Sequence, residues 1–364
     1  MNRLVDLGRG VNIGGWISQS DLSETHIRAF FTQKDVEKIA GWGFQNIRLP
    51  FDYPLVEDDA SPGKYKEDGF AWIDLALDWS AKAGLKVVLD MHKAPGFQFI
   101  EVVNDPHAVP RIFTEQSLRQ RYYDLWAAVA RRYLGRHEHV VFELLNEVTA
   151  PQADQWNDLA AGAVAAIRSV DKPRPIVVGS NMWNGCQTFP ELRHFDDPNV
   201  LYTFHFYEPI AFTHQKARWT PELYFLNEEL SYPGRPMHVR EMATKAAAEG
   251  KTGVSEKLMH LADTYDQRGP DDANYLRLHL APVLDFCKKY NVQAYCGEFG
   301  VYSRAPHDSA IRWYADAVAL FDENGIDYSA WSYKGMGFGL VDKHDKLIRP
   351  EALAILRGDT PCGA

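Results

Sequence analysis

Val140-Val141-Phe142-Glu143-Leu144-Leu145-Asn146-Glu147 decides how this chain is read. The apolar run has the character of a buried strand. It stops abruptly at an amide and a carboxylate. A second segment, Val292-Gln293-Ala294-Tyr295-Cys296-Gly297-Glu298-Phe299-Gly300, repeats the plan and delivers Glu298 at its end. Two carboxylates on two strand ends of one sheet can face each other across a cleft. Acid-catalysed cleavage of a bond between sugars needs that arrangement.

Working outward, short apolar runs alternate with longer amphipathic ones, the pattern of parallel βαβ units. The strand-like runs are residues 10–15, 44–50, 85–92, 140–147, 175–179, 200–206, 292–300 and 327–332. Helical spacing marks residues 33–41, 70–83, 117–134, 153–169, 273–290 and 309–323. Eight strands with helical returns predict an α/β fold, a single (β/α)8 TIM barrel over residues 1–364. One stretch breaks the rhythm. Residues 208–272, after the sixth strand, form a long insertion carrying Trp219, Tyr224, Phe225 and Tyr232. A loop of this length is usually functional or disordered. It leaves the barrel at the C-terminal end of a strand, so it reads as a lid or cleft wall, with a passive excursion as the rival reading.

Composition narrows the function. The chain is 46% hydrophobic and 24% charged, ordinary globular usage, and its length suffices for a large core without staples. A formal net charge of −10 with no long basic block argues against nucleic acid. No apolar run approaches the ~20 residues of a membrane span. Cys186, Cys287, Cys296 and Cys362 have no zinc-type spacing and read as free thiols, which favours a reducing compartment. Met1-Asn2-Arg3-Leu4-Val5-Asp6-Leu7-Gly8 lacks the apolar centre of a signal peptide. The expectation is a cytoplasmic protein, or a secreted one whose leader has been removed. Oligomeric state is not legible.

Barrel enzymes carry their chemistry at strand C-termini. Arg48 is read as ending the second strand, His92 the third, Asn146 and Glu147 the fourth, His205 and Tyr207 the sixth, and Glu298 the seventh; Trp331 lies late in the eighth. Any one of these polar groups has a structural explanation, but eight at the same end point to a site. A retaining glycosidase needs one ionised carboxylate and one protonated one, about 5–5.5 Å apart. Arg48 is a permanent cation suited to hold one of them ionised, with Tyr207 as a further donor. Asn146 is placed to hold a sugar hydroxyl, and Trp331 offers a flat floor for a pyranose ring.

These residues resemble glycoside hydrolase family 5, the cellulase A family of TIM-barrel retaining β-glycosidases. The resemblance runs from Arg9-Gly10-Val11-Asn12-Ile13-Gly14-Gly15-Trp16 to Trp331-Ser332-Tyr333-Lys334. It implies that Glu147, in the Asn-Glu pair, is the acid/base and that Glu298, in Gly-Glu-Phe-Gly, is the nucleophile. Arg48, His92, His205, Tyr207 and Trp331 match the side chains that complete the family's site. Val148 follows the Asn-Glu pair where many members have proline. Asp90-Met91-His92-Lys93-Ala94-Pro95-Gly96 is similar to the exo-acting β-1,3-glucanase branch, whereas Phe206-Tyr207-Glu208-Pro209 is similar to bacterial cellulases. The resemblance implies a β-linked oligo- or polysaccharide substrate, β-glucan foremost, with β-1,3-glucan or a β-glucoside and β-mannan as alternatives. It implies no cofactor and no metal. The coupled carboxylates predict a bell-shaped pH profile with an optimum at about pH 5–7.

A carbohydrate-binding barrel without activity is the competing class, and such a chain is expected to lack one of the two glutamates. A serine hydrolase is disfavoured, because no G-x-S-x-G elbow is present. Trp16 is read as either cleft or core, and Lys334 as either a distal sugar contact or a solvated charge. Glu208 is read as a loop or subsite residue. His26, His107 and His238 are read as solvent-facing. Glu57-Asp58-Asp59 and Asp271-Asp272 lack calcium-loop spacing and are read as surface charge.

Overall fold

The computed structural model describes residues 3–105, 107–136 and 138–359, which leaves Cys362 and the first two residues outside the described part. Eight parallel strands close into a barrel in sequence order: β1 Arg9–Asn12, β2 Asn46–Asp52, β3 Lys86–Lys93, β4 Val140–Glu143, β5 Ile176–Gly179, β6 Val200–Phe206, β7 Ala294–Phe299 and β8 Asp327–Ala330. β1 pairs with both β2 and β8, which seals the ring. The helices between strands include Gln33–Gly41, Glu67–Lys82, Gln116–Arg132, Ala153–Arg168, Ala273–Tyr290 and His307–Glu323. The expected TIM barrel is the observed fold.

Strand alternation decides what fills the barrel, since residues two apart share a face. Toward one end, Leu7, Val88, Val141, Val177, Leu201 and Tyr295 pack into an apolar plug. Two residues further along β3, β4 and β6 stand Asp90, Glu143 and Thr203, and two further along β3 and β6 stand His92 and His205. The interior therefore changes from apolar to polar toward the C-terminal ends. Side chains on the opposite strand faces, such as Ile47, Leu49, Leu89 and Phe142, belong to the large cluster shared with the surrounding helices. Trp16 belongs there too. It is fully buried and its indole Nε1 donates to Ile27 O at 2.8 Å, so it is core and not cleft.

Several boundaries differ from the sequence reading. β1 starts one residue earlier and ends at Asn12, because the chain turns at Gly15 with φ +78°. β4 stops at Glu143, so Asn146 and Glu147 lie beyond it. Arg48 is the third residue of β2 and sits inside the barrel, not at the strand end. Glu57 is buried and ion-paired with Arg121 at 2.7 Å, and Asp271 is buried against Arg268 at 2.7 Å; neither is surface charge. Lys334 pairs with Asp35 and Asp345 at 3.2 and 2.8 Å, so it is neither a sugar contact nor a free charge. His107 and His238 are exposed, whereas His26 is half-buried against Gly15 O at 2.7 Å. Cys186, Cys287 and Cys296 are buried free thiols. Among the described residues no helix is long and apolar enough to cross a membrane.

Between β6 and the helix Ala273–Tyr290 the chain is helical rather than irregular: Ile210–Thr213, Pro221–Leu226, Val239–Ala248 and Thr252–Arg268. The longer of these bury their apolar faces on one another, with Leu226, Val239, Ala243, Leu258 and Ala262 forming a small separate core. The stem is tied back to the barrel. Tyr232 is fully buried, its hydroxyl donates to Asp316 Oδ2 at 2.8 Å, and Arg312 Nε donates to its carbonyl at 2.8 Å.

Candidate active site

Arg48 is the hub of the polar end. Its guanidinium carries five N–H groups, and each is used. Nε and Nη2 grip Glu143 at 2.7 and 2.8 Å, Nη2 also reaches Asn146 Oδ1 at 2.9 Å, and Nη1 donates to Asn12 Oδ1 at 3.0 Å and Glu298 Oε1 at 2.7 Å. Asp90 Oδ2 lies 3.0 Å from Nη2. Such a dense set of charge-assisted bonds fixes a buried cation that is otherwise costly to desolvate.

Glu298 reaches this position through an irregularity. The β6–β7 register slips between Phe204 and His205, so that Cys296 pairs with Phe204 but Glu298 pairs with His205. Gly297 is the extra residue of a bulge, a device that re-aims a side chain. It must be small, because a Cβ there meets Thr203 Oγ1 at 2.8 Å. Glu298 then accepts from Arg48 through Oε1 and from the Tyr207 hydroxyl at 2.8 Å through Oε2.

Glu147 is positioned by a strained loop. Its φ is +44°, a left-handed value that a glutamate holds only when its surroundings over-determine it. They do so here. Leu144 O accepts from both Tyr122 Oη and Trp126 Nε1 at 2.8 and 3.1 Å, and Asn146 N donates to Met91 O at 3.1 Å. Downstream, Val148 O accepts from Trp183 N at 3.0 Å. The Glu147 carboxyl lies 3.0 Å from His205 Nδ1, which is also 3.6 Å from Glu298 Oε2. One carboxylate oxygen of Glu147, one of Glu298 and a ring nitrogen of His205 all fall within 4.8 Å of one another.

The two carboxyls sit in different fields. Burial pushes Glu147 well above the ordinary carboxylate range, and the charge of Glu298 adds to the rise. Burial also raises Glu298, but Arg48, His92 and the Tyr207 hydrogen bond pull the other way. His205 is held well below its usual value by burial and by Arg48, so the ring is neutral. One carboxyl driven strongly toward keeping its proton, beside one whose rise is opposed by a cation and a phenol, is the kind of asymmetric pair that acid-assisted displacement at a sugar requires.

The rest of the expected set gathers around them. His92 turns Nδ1 to Asp90 Oδ2 at 2.8 Å, and its ring stacks on Trp331 with centroids 5.9 Å apart and planes 5° from parallel. Burial lowers His92 to about 4 and raises Asp90 to about 7. His92 Nε2 and Asn146 Nδ2 are buried without a hydrogen-bond partner among the described residues. All eight side chains singled out in the sequence thus converge. Sequence reasoning missed Asn12, Asp90, Glu143 and Asn184. The first three carried a signal, polar residues at period-two positions, but inside apolar strands rather than at their ends. Asn184 lies in a turn after β5 and carried none.

A family model for cellulase, glycosyl hydrolase family 5, matches residues 11–337. The chain is 38% identical to endoglucanase C of Acetivibrio thermocellus, over 97% of this chain and 98% of that protein. It is 32% identical to cellodextrinase A of Ruminococcus flavefaciens, over 87% of this chain and 83% of that one. Cel5A of Thermotoga maritima, solved in complex with cellobiose, superimposes with a TM-score of 0.74 at 25% identity, over 96% of this chain and 97% of that one. The same enzyme, solved in complex with mannotriose, gives 0.75 at 25% identity over the same shares. By sequence and by architecture the chain belongs to glycosyl hydrolase family 5, the cellulase family, and is a retaining glycoside hydrolase acting on β-linked saccharides.

Proposed function

We propose that Glu298 is the nucleophile and Glu147 the acid/base of an endoglucanase-type hydrolysis of β-1,4-linked glucans or their oligosaccharides. The observation that carries this reading is the asymmetry of the pair. Glu298 accepts from Arg48 and Tyr207, whereas Glu147 has only the neutral His205 among the described side chains. Glu298 attacks the anomeric carbon as Glu147 gives its proton to the departing glycosidic oxygen. Glu147 then takes a proton from the water that releases the glycosyl-enzyme. Asn146 Nδ2 and His92 Nε2, both lacking a hydrogen-bond partner among the described residues, are suited to sugar hydroxyls beside Trp331.

Two relatives, an endoglucanase and a cellodextrinase, support β-1,4-glucan or its oligosaccharides as the substrate. The mannotriose complex of the Thermotoga maritima enzyme favours β-mannan as a second reading. We read the chain as one catalytic unit in which the insertion walls the cleft. In support, Trp219 packs on Tyr302 and Phe338 at centroid distances of 5.0 and 6.3 Å, and Phe338 packs on Tyr207 at 5.8 Å.

Replacing Glu298 with Ala is expected to abolish turnover while leaving substrate binding measurable; wild-type rates in that variant refute the assignment. Initial rates on carboxymethyl-cellulose, laminarin, mannan and a series of cello-oligosaccharides decide the substrate. Faster turnover of mannan than of every glucan overturns the glucan reading.

A further inference from the structure

The turn after β5 is folded against the segment that carries Glu147. Met182, Trp183 and Asn184 are consecutive left-handed residues with φ of 52°, 60° and 55°. Three such residues in a row are costly, and only asparagine among them tolerates the conformation well. The turn is held by Asn181, whose side chain accepts from Ala150 N at 2.8 Å and donates to Ala150 O at 2.9 Å, and by the bond from Trp183 N to Val148 O. It delivers Asn184, fully buried, to the far side of the His205 ring: Asn184 Nδ2 lies 3.2 Å from His205 Nε2. Space for that carboxamide exists because Gly179 has no side chain; a Cβ there meets Asn184 Oδ1 at 2.4 Å.

We propose that Asn184 is a positioning residue for proton transfer at Glu147, acting by fixing the tautomer of His205. The proposal rests on the reading of Glu147 as the acid/base. A neutral imidazole has one N–H and one lone pair. The Asn184 amide group donates to Nε2, so Nε2 holds the lone pair and Nδ1 carries the hydrogen. That N–H points at Glu147 Oε1, 3.0 Å away. It is the bond an ionised Glu147 needs, after its proton has gone to the leaving oxygen and before it takes one from water. With the opposite tautomer, the Nδ1 lone pair faces the carboxylate and opposes its ionisation. Asn184 hydrogen-bonds to neither carboxylate, and Asn184 Oδ1 has no hydrogen-bond partner among the described residues. Its left-handed backbone favours asparagine, and the bond to His205 Nε2 is the one its side-chain amide makes among the described residues. The arrangement follows the pattern in which the partner on one ring nitrogen sets what the other nitrogen does.

The test is Asn184→Asp, which keeps volume and the tolerance for left-handed backbone but replaces the donor with an acceptor. Nitrogen-15 spectra of histidine-labelled protein, with His205 assigned by comparison with a His205→Gln sample, are expected to show Nδ1–H with a bare Nε2 in the wild type and a protonated Nε2 in the variant. A wild-type ring protonated on Nε2 overturns the proposal without any kinetics. Kinetics supply the second readout, on aryl glycosides of whichever sugar the enzyme prefers. Phenyl glycosides need acid assistance and dinitrophenyl glycosides do not. Asn184→Asp is expected to lower kcat/KM for the phenyl glycoside by about tenfold or more, within the range that general acid catalysis supplies, with a much smaller effect on the dinitrophenyl glycoside. Equal losses on both substrates mean a merely structural role and overturn it. Glu147→Gln run in parallel separates the two ideas. If it shows no leaving-group dependence, the acid/base assignment falls; if it does and Asn184→Asp does not, only the role of Asn184 falls.

Discussion

Arg48 Nη1 donates to Glu298 Oε1 at 2.7 Å, and the same guanidinium clasps Glu143 with two bonds of 2.7 and 2.8 Å. One buried cation thus serves a carboxylate at the cleft and another below it. Removing it leaves Asp90, Glu143 and Glu298 as neighbouring buried acids without a counter-charge. Arg48→Ala is expected to cost about 3–5 kcal/mol, the penalty for breaking a buried ion pair, and to abolish activity. Arg48→Lys keeps the charge but loses the planar fork. It is expected to recover much of the stability and little of the rate. Denaturant midpoints and kcat for both variants check this; a Lys variant with wild-type kcat contradicts it.

The pH profile follows from the two carboxyls. With the proposed roles, activity needs Glu298 ionised and Glu147 protonated, so the acid limb is expected from the former and the basic limb from the latter. Since burial raises both, the optimum is displaced upward from the ordinary carboxylate range. Glu147→Gln is expected to remove the basic limb on an activated aryl glycoside while keeping the acid limb. Survival of both limbs in that variant assigns the basic limb elsewhere.

Stability carries the mirror image of that shift. A carboxyl whose folded pKa is raised binds more protons folded than unfolded between its unfolded and folded values. Through that window stability therefore falls as pH rises. Below the unfolded value Glu147 is protonated in both states and costs nothing. Glu147→Gln is thus expected to match the wild type near pH 4 and to exceed it in Tm increasingly as pH climbs above the ordinary glutamate value. Thermal melts across pH measure this directly, and a constant offset at every pH rejects it.

Gly14 faces the edge of Trp331, where a Cβ meets Cη2 and Cζ2 at 2.6 and 2.7 Å. β1 has already ended at Asn12, so the strand does not register a change there. Gly14→Ala is expected to tilt the indole off His92, raising KM and lowering kcat/KM by roughly tenfold through misplacement of the sugar. Tm is expected to stay within a few degrees. Unchanged KM argues that the indole does not contact substrate.

Trp219 tests the insertion as a cleft wall. It is 40% exposed beside Tyr302 and Phe338. Trp219→Ala is expected to raise KM for long cello-oligosaccharides several-fold and to spare the shortest hydrolysed one. Equal effects at every chain length place Trp219 outside the cleft.

Regular, deeply buried elements were legible in the sequence. β6 and the helix Ala273–Tyr290 occupy the residues that periodicity assigns them, since each is fixed by an uninterrupted apolar pattern against the core. Where side-chain and backbone demands separate, the reading slipped. The run from Val140 looks continuous to Glu147, yet the strand ends at Glu143 because Glu147 must turn its backbone left-handed to face Glu298. Glu143 itself was overlooked, since an acid within an apolar run is explained only by Arg48 on another strand. The helices between β6 and Ala273–Tyr290 were hidden for a related reason: they pack on each other, so their apolar residues do not follow the barrel's rhythm.

The saturated guanidinium of Arg48 has a consequence for assembly. Its partners arrive from Asn12 on β1, Glu143 on β4, Glu298 on β7 and Asn146 just past β4, with Asp90 of β3 alongside. None of β1, β2, β3, β4 and β7 can be absent or slipped by a residue without leaving one of those bonds unmade. The cluster therefore acts as a checkpoint on barrel closure. During refolding, completion of this cluster is expected to follow the last of these five strands to join, rather than the first appearance of secondary structure.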